Sequence, residues 1–206
     1  MRLIVLPILY SYRRCPYAMR ARMALKHADI SVEIREITLK DKPIEMLMAS
    51  PKGTVPVLVL HNGRVLEQSL EIMHWALQKS DHPAWLTADS VLTQQLITEN
   101  DECFKKALDQ YKYAIRFPEQ ASDVYRAQGE IFLQKLELLL SQSPFLLRNE
   151  VSLADIAIFP FIRQFSGVDQ AWFEASHYSN LKVWLNQLVT SDLFVSIMQK
   201  PPTYIK

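Results

Sequence analysis

The sequence predicts an α/β N-terminal region followed by an all-helical C-terminal region. In residues 1–80, short apolar runs alternate with amphipathic segments, as expected for strands and helices in turn. After residue 80 the apolar residues recur at helical spacing, and the 206 residues include only 4 glycines, which disfavours a turn-rich all-β fold. We therefore expect a domain at 1–79, a linker at 80–88 and a helical domain at 89–206.

The N-terminal elements follow from local patterns. In chain order we predict a strand at Leu3–Leu9, a helix from Pro16 to about Ala28, a strand over 32–39, a helical turn over 44–49, a hairpin of 55–60 and 64–66, and a helix over 70–77. The hairpin prediction rests on Asn62-Gly63, a pair that favours a tight turn between strands. This order of strands and helices is typical of an α/β unit.

Three apolar stripes predict helices in the C-terminal region. They comprise Phe104, Leu108, Tyr111 and Ile115; Phe132, Leu136, Leu139 and Leu140; and Leu181, Trp184, Leu185 and Leu188. Ser80-Asp81-His82-Pro83 breaks the pattern before them and marks the linker. Ser152 and Asp155 predict a capping box at the start of a further helix.

The charge composition argues against a strongly electrostatic partner. With 23 basic and 22 acidic residues the net charge is +1, which lacks the footprint of a nucleic-acid binder. Residues 1–80 hold 12 Lys/Arg against 7 Asp/Glu, so this region could accept an anionic ligand. Two cysteines make no disulfide framework, and Leu3–Leu9 is too short to span a membrane. We expect a soluble, cytoplasmic protein without a nucleic-acid or membrane partner and without a metal site.

Cys15 is the candidate nucleophile. Because Pro16 suits the first position of a helix, Cys15 falls at the N-cap, where the helix dipole and unpaired amides favour a thiolate. Four nearby arginines add positive potential: Arg13, Arg14, Arg20 and Arg22. Ala18 stands where a dithiol oxidoreductase has its second cysteine, so a disulfide at Cys15 needs an external thiol to reduce it. For Cys103 we favour the alternative of an inert, buried cysteine.

Two further motifs have ordinary structural alternatives. Pro56 interrupts an apolar strand pattern, and a cis bond before it would leave the Val55 main chain to pair with an extended ligand. An edge-strand proline explains the same pattern. Ser69 falls at the N-cap of the third predicted helix, which is a ready site for a carboxylate, although capping explains it equally well.

These motifs together resemble the cytosolic glutathione S-transferase superfamily, most closely its cysteine-type, omega-like branch. The matching elements are Cys15-Pro16-Tyr17-Ala18, Val55-Pro56, Gln68-Ser69 and Ser152-x-x-Asp155. The resemblance covers nearly the whole chain. It implies a thioredoxin-like domain with a cis bond before Pro56, a following all-helical domain and a homodimer.

The resemblance also implies roles for individual residues. Cys15 would face the glutathione sulfur, and Val55 would pair its main chain with the cysteinyl unit. Gln68 and Ser69 would hold the γ-glutamyl end. Lys42 matches a lysine that reaches the glycyl carboxylate, although a solvated surface lysine explains it equally well.

The activity implied is thiol transfer, with glutathione as cosubstrate and a small electrophilic or disulfide substrate. The Cys15 thiolate would form a mixed disulfide with glutathione that a second glutathione reduces, and conjugation would be secondary. Tyr12 and Ser11 are reserve candidates, near positions where other branches place a catalytic hydroxyl. Two other interpretations keep the fold: a non-catalytic protein-interaction module, and a membrane-inserting relative of the chloride-channel type.

Overall fold

The structure is a computed structural model that describes residues 6–80, 83–86 and 90–204. Three residues of the first predicted strand, 3–5, and part of the predicted linker therefore lie outside the described residues. None of the helices in the described part is long and apolar enough to cross a membrane.

The chain forms two compact units. One comprises Met1–Pro83 together with Asp192–Lys206, and the other comprises Ala84–Ser191. The division near residue 83 falls inside the predicted linker at 80–88. The grouping of the C-terminal segment with the first unit is a long-range feature that helical periodicity does not indicate.

The first unit contains a four-stranded mixed sheet in the order β2-β1-β3-β4. The strands are β1 (Ile8–Ser11), β2 (Glu33–Glu36), β3 (Val57–Val59) and β4 (Val65–Leu66). β1 is parallel to β2 and antiparallel to β3, and β3 and β4 form the hairpin that Asn62-Gly63 predicts. Gly63 has φ +83°, a conformation that favours glycine.

The strand predicted at Leu3–Leu9 is wrong in its extent, because β1 begins at Ile8 and continues to Ser11. Ile8 pairs with Glu33, so the strand starts where its parallel partner starts. An apolar run shows that a segment can be buried, whereas strand ends depend on the position of a partner far along the chain.

Three helices accompany the sheet in the first unit, namely α1 (Pro16–His27), α2 (Ile44–Ala49) and α3 (Ser69–Lys79). α1 is buried over most of its surface and packs closely on α3. Tyr10, Ile37, Met46 and Val57 form a buried cluster that joins the sheet to α2. The predicted α/β character of the N-terminal region is confirmed.

The second unit is helical among the residues described. Its α-helices are α4 (Ser90–Glu99), α5 (Lys105–Lys112), α6 (Ser122–Leu140), α7 (Leu153–Ser166), α8 (Gln170–Ala175) and α9 (Ser179–Val189), with a π-helical turn at Asn100–Phe104. The predicted capping box is confirmed at the start of α7. Asp155 also accepts bonds from the Leu146 N–H at 2.9 Å and from Trp184 Nε1 at 2.8 Å. This buried carboxylate therefore joins three segments of the unit.

Ile115, the last member of the first predicted apolar stripe, does not lie in the helix that the stripe predicts. α5 ends at Lys112, and Ile115 lies in a 3-10 turn at Ala114–Arg116 with 95% of its surface exposed. The apolar periodicity continues in the sequence beyond the point where the helix ends.

The C-terminal segment packs on the first unit. It contains α10 (Asp192–Ile197), which contacts α1, and it ends in a parallel bridge between Thr203 and Glu36. The segment therefore lies along the edge of the sheet formed by β2.

Candidate active site

Cys15 lies at the junction of β1 and α1. It has extended backbone angles, φ −77° and ψ 122°, and Pro16 opens the helix directly after it, so the predicted N-cap position is confirmed. The Cys15 N–H donates to the Tyr12 carbonyl at 3.0 Å, which closes a tight turn between strand and helix. The side chain is half-buried. The thiol is thus presented at the positive end of α1.

Val55 lies beside Cys15 although 40 residues separate them in the sequence. The Val55-Pro56 bond is cis, as the resemblance implies, and the Val55 carbonyl oxygen is 3.8 Å from Cys15 Sγ. Among the described residues, neither the N–H nor the carbonyl of Val55 bonds to another main-chain group. Apart from the bond that the carbonyl accepts from the Cys15 thiol, this main-chain edge is open to pairing, which is the feature that an extended peptide-like ligand requires.

Arg22 is a buried cation that interacts electrostatically with Cys15. Only 3% of its surface is exposed. Burial lowers the pKa of Arg22 to about 10, the negative charges of Glu36 and of Cys15 oppose that change, and Arg13 adds to it. Arg22 therefore places a buried positive charge in electrostatic interaction with Cys15.

Two of the other arginines near Cys15 serve different partners. Arg14 donates to the Tyr12 hydroxyl from Nε at 3.0 Å and from Nη2 at 2.7 Å. Arg20 is 2% exposed and donates from Nε to Ser69 Oγ at 2.9 Å. The sequence prediction that Arg20 adds positive potential at Cys15 did not include this contact at the start of α3.

Ser69 is the first residue of α3, and Gln68 is its N-cap, so the predicted N-cap at Ser69 is wrong by one residue. The Ser69 hydroxyl accepts the Arg20 bond and is buried at 4% exposure, whereas Gln68 is exposed. Neither side chain caps the helix in the way the sequence suggests, because no side-chain cap bond forms at Gln68 and Ser69 turns to Arg20. In the described part of the chain, no side chain caps the amides of the first turn of α3, so they remain available to an anion.

Lys42 lies over the loop that precedes Val55. A Cβ at position 53 would lie 3.5 Å from Lys42 Nζ and 3.3 Å from Leu47, and Gly53 itself has φ +63°. The positive φ therefore favours glycine here, whereas the space around a Cβ would be tight only at Leu47. A second lysine, Lys52, donates to the Glu67 carbonyl at 3.4 Å, just before Gln68.

Neither reserve candidate, Ser11 nor Tyr12, has a hydroxyl free to serve the site, and Cys103 is not buried as expected. Ser11 is fully buried in β1, so its hydroxyl does not face a substrate, and the Tyr12 hydroxyl is engaged by Arg14. Cys103 is exposed in the π-helical turn, so the expectation of a buried cysteine is wrong. In the sequence, Cys103 falls on a helical stripe with Leu96 and Ala107, which is why burial is expected. The π turn shifts the helical phase by one residue and rotates Cys103 away from that stripe.

The structure thus brings Cys15 and Val55 together and places Ser69 on a helix held to α1 by Arg20. Sequence patterns did not identify the Arg20 bond to Ser69, which joins residues 49 positions apart. An arginine inside an apolar helical stripe could have drawn attention to it, because Arg is rarely buried without a partner. No group of three or more His, Cys, Asp or Glu side chains suited to a metal occurs among the described residues.

Comparisons with known proteins agree with this architecture. Residues 9–84 match the model for the glutathione S-transferase N-terminal domain, and residues 119–187 match that for the C-terminal domain. Glutathione S-transferase L2, chloroplastic, of Arabidopsis thaliana is 28% identical over 209 residues, covering 96% of this chain and 68% of that protein. Glutathione S-transferase omega-1 of Mus musculus is 41% identical over 61 residues, covering 30% of this chain and 25% of the mouse protein.

A solved structure described as a ternary complex of BphK, a bacterial GST, superimposes with a TM-score of 0.79 at 19% identity. The match covers 93% of this chain and 98% of that one. At this identity the likeness concerns the fold, which is a mixed-sheet N-terminal domain followed by a helical domain.

Proposed function

The chain belongs to the glutathione S-transferase family, whose members use glutathione as a cosubstrate, and we propose that it is a glutathione-dependent thiol transferase with Cys15 as nucleophile. One observation carries the proposal. The Cys15 thiol lies at the N-terminus of α1, 3.8 Å from the carbonyl of a residue whose main chain is otherwise unpaired. We assign the chain to the cysteine-type, omega-like branch on the same ground.

The proposed reaction has two thiol exchange steps. The Cys15 thiolate attacks the glutathionyl sulfur of a mixed disulfide, a Cys15–glutathione bond forms, and the substrate sulfur leaves as a thiolate that takes a proton from water. A second glutathione thiolate then attacks the glutathionyl sulfur of that intermediate. Oxidised glutathione leaves and the Cys15 thiolate is restored, so that electrons and atoms balance without a further reductant.

The geometry supports a binding pose for glutathione along this edge. The Val55 N–H and carbonyl pair with the cysteinyl unit in the manner of a β-bridge, which places the glutathione sulfur next to Cys15. The γ-glutamyl carboxylate lies against the first turn of α3, where Ser69 and Gln68 meet it. Lys42 reaches the glycyl carboxylate.

With Cys15 as the nucleophile, conjugation of glutathione to electrophiles is the secondary activity in our proposal. Transfer of glutathione to an electrophile is helped by a hydroxyl that donates to the glutathione thiolate, and a cysteine is a weaker donor than serine or tyrosine. We propose further that the chain acts as a homodimer in the cytoplasm, on small electrophilic or disulfide substrates.

The test is a comparison of Cys15→Ala with Cys103→Ala. Cys103→Ala is the matched control, because it removes the other cysteine of the chain from an exposed position in the second unit. We expect Cys15→Ala to lose at least about a hundredfold in the reduction of a glutathione mixed disulfide, because covalent catalysis needs the nucleophile. Cys103→Ala keeps the wild-type rate.

Two results would contradict the proposal. Wild-type turnover by Cys15→Ala would exclude Cys15 as the nucleophile. A wild-type protein that neither binds glutathione resin nor turns over mixed disulfides would instead be a non-catalytic interaction module.

A further inference from the structure

The main chain of Arg13 is held from both sides in the turn that leads to Cys15. The Arg13 N–H donates to Glu36 Oε1 at 2.6 Å, and the Arg13 carbonyl accepts from Arg22 Nη2 at 2.7 Å. We call residues 12–15 the nucleophile loop. Both polar groups of its second residue are therefore bound by side chains from other elements, β2 and α1.

The same two side chains belong to residues that also hold the C-terminal segment. Arg22 Nη1 donates to the Ile197 carbonyl at 2.7 Å, at the end of α10. The Glu36 carbonyl accepts from the Tyr204 N–H at 2.8 Å. Arg22 and Glu36 thus each make one contact with the nucleophile loop and one with the C-terminal segment.

Additional contacts tie the C-terminal segment to the same region. Arg13 Nη1 donates to the Met198 carbonyl at 3.4 Å. The Arg35 guanidinium lies over the Tyr204 ring, 4.7 Å from its centroid. The segment is therefore attached at its helix by Arg22 and Arg13, and near its end by Glu36 and Arg35.

Burial makes the Arg22 and Glu36 contacts hard to replace. The two residues are 3% and 8% exposed, and Glu36 Oε2 has no hydrogen-bond partner among the described residues. A buried charge that loses a partner cannot regain it from water. The charged groups that interact with Arg22 are Glu36 on β2, Arg13 in the nucleophile loop and Cys15 at the start of α1, while α10 contributes a main-chain carbonyl.

We propose that Arg22 and Glu36 are positioning residues that tie the nucleophile loop to the C-terminal segment, so that attachment of this segment sets the reactivity of Cys15. The inference rests on the proposed function only in treating Cys15 as the reactive thiol. It assigns the C-terminal segment a part in the site, although this segment lies more than 175 residues from Cys15 in the sequence.

The first experiment weakens the attachment of the end of the C-terminal segment without changing any residue of the nucleophile loop. Tyr204→Pro removes the N–H that donates to Glu36, whereas Tyr204→Phe keeps both this N–H and the ring over Arg35 and is the matched control. Both are made in the Cys103→Ala background, so that only Cys15 is alkylated. The rate of alkylation by iodoacetamide is measured between pH 5 and 10, together with the thermal melting point.

We expect Tyr204→Pro to raise the pH midpoint of alkylation by at least about half a pH unit, which slows the reaction about threefold at pH values well below the midpoint. Tyr204→Phe leaves both unchanged. A lower melting point with an unchanged midpoint would mean that the segment only stabilises the fold, and it would overturn the proposal.

The second experiment alters the two positioning residues. Arg22→Lys keeps the charge but loses the planar fork that reaches two carbonyls at once, so we expect a higher midpoint. Glu36→Gln keeps an acceptor for the Arg13 N–H and removes a negative charge near the thiolate, so the midpoint does not rise. An unchanged midpoint in Arg22→Lys, or a higher one in Glu36→Gln, would overturn the proposal.

This readout is independent of the proposed function. Alkylation needs no glutathione and no turnover, so a failure of thiol transfer in the wild type leaves the alkylation result interpretable. If Arg22→Lys does not fold, Tyr204→Pro still decides the question.

Discussion

Replacement of Ser69 by alanine tests the start of α3 as a binding site and as a structural contact at once. The Ser69 hydroxyl is buried and accepts from Arg20 Nε at 2.9 Å. As a helix N-cap, Ser69 would contribute about 1 kcal/mol to stability. Since the structure places it inside the helix as the acceptor of a buried guanidinium, a larger loss of stability is expected.

The magnitude follows from the charge of the donor. A hydrogen bond to a charged group contributes about 1.5–3 kcal/mol, and Ser69→Ala removes this acceptor from Arg20. In a protein of this size that loss lowers the melting point by about 3–12 °C. If Ser69 also binds the γ-glutamyl carboxylate, the same range of free energy weakens glutathione binding by about 10- to 150-fold.

The assay combines thermal melts with calorimetric titration of glutathione. Ser166→Ala is the control, because Ser166 Oγ donates to the Arg163 carbonyl at 3.1 Å in the other unit and faces no ligand in the proposed pose. A double-mutant cycle of Ser69→Ala with Arg20→Gln isolates the Ser69–Arg20 bond in the melts.

Two results would refute this reasoning, each at a different step. Additive stability changes in the double-mutant cycle would show that the Arg20–Ser69 bond contributes nothing. Glutathione affinity within twofold of the wild type in Ser69→Ala, with a lowered melting point, would show that Ser69 is structural and that the γ-glutamyl end binds elsewhere.

Three further predictions concern binding, packing and pH. Lys42→Ala should raise the Kd for glutathione by about 1.5- to 5-fold, which is the range expected for the loss of a solvated ion pair. Lys40→Ala, at an exposed position two residues away, is the control and should leave the Kd unchanged. Calorimetric titration measures both values. Gly129→Ala should lower the melting point, because the added Cβ would lie 2.4 Å from the Phe165 ring. This clash should outweigh the helix propensity of alanine, which exceeds that of glycine by about 1 kcal/mol. An unchanged melting point would contradict the prediction. Burial raises the pKa of Tyr178 to about 12, so the native state keeps a proton that the unfolded chain loses near pH 10. Stability should fall between pH 10 and 12 in melts of the wild type and fall less in Tyr178→Phe.

Local patterns predicted the position of Cys15 in the candidate site and two structural elements elsewhere in the fold. Cys15 at the start of α1 follows from Pro16 next to it, and the capping box at Ser152 and Asp155 follows from a spacing of three residues. The hairpin follows from Asn62-Gly63. Each depends on backbone geometry within a few residues, which the sequence displays directly.

The predictions that proved wrong depend on features that apolar periodicity does not show. The extent of β1 depends on pairing with β2, and the exposure of Cys103 depends on a π turn that shifts the helical phase. Ser69 lies one residue inside α3, where its hydroxyl accepts a bond from Arg20 on a neighbouring helix. Apolar spacing does not show which distant partner each of these residues meets.

The sequence by itself determined the fold class and the place of Cys15 at a helix start, because helix caps, tight turns and apolar periodicity are properties of adjacent residues. The tertiary structure alone decided that the Val55 main chain passes Cys15 and that Arg20 supports Ser69. It also decided that Arg22 joins the nucleophile loop to the C-terminal segment. The Arg20 and Arg22 contacts bury polar groups on α1, and a buried polar group takes whichever partner the packing of other elements brings within hydrogen-bond distance.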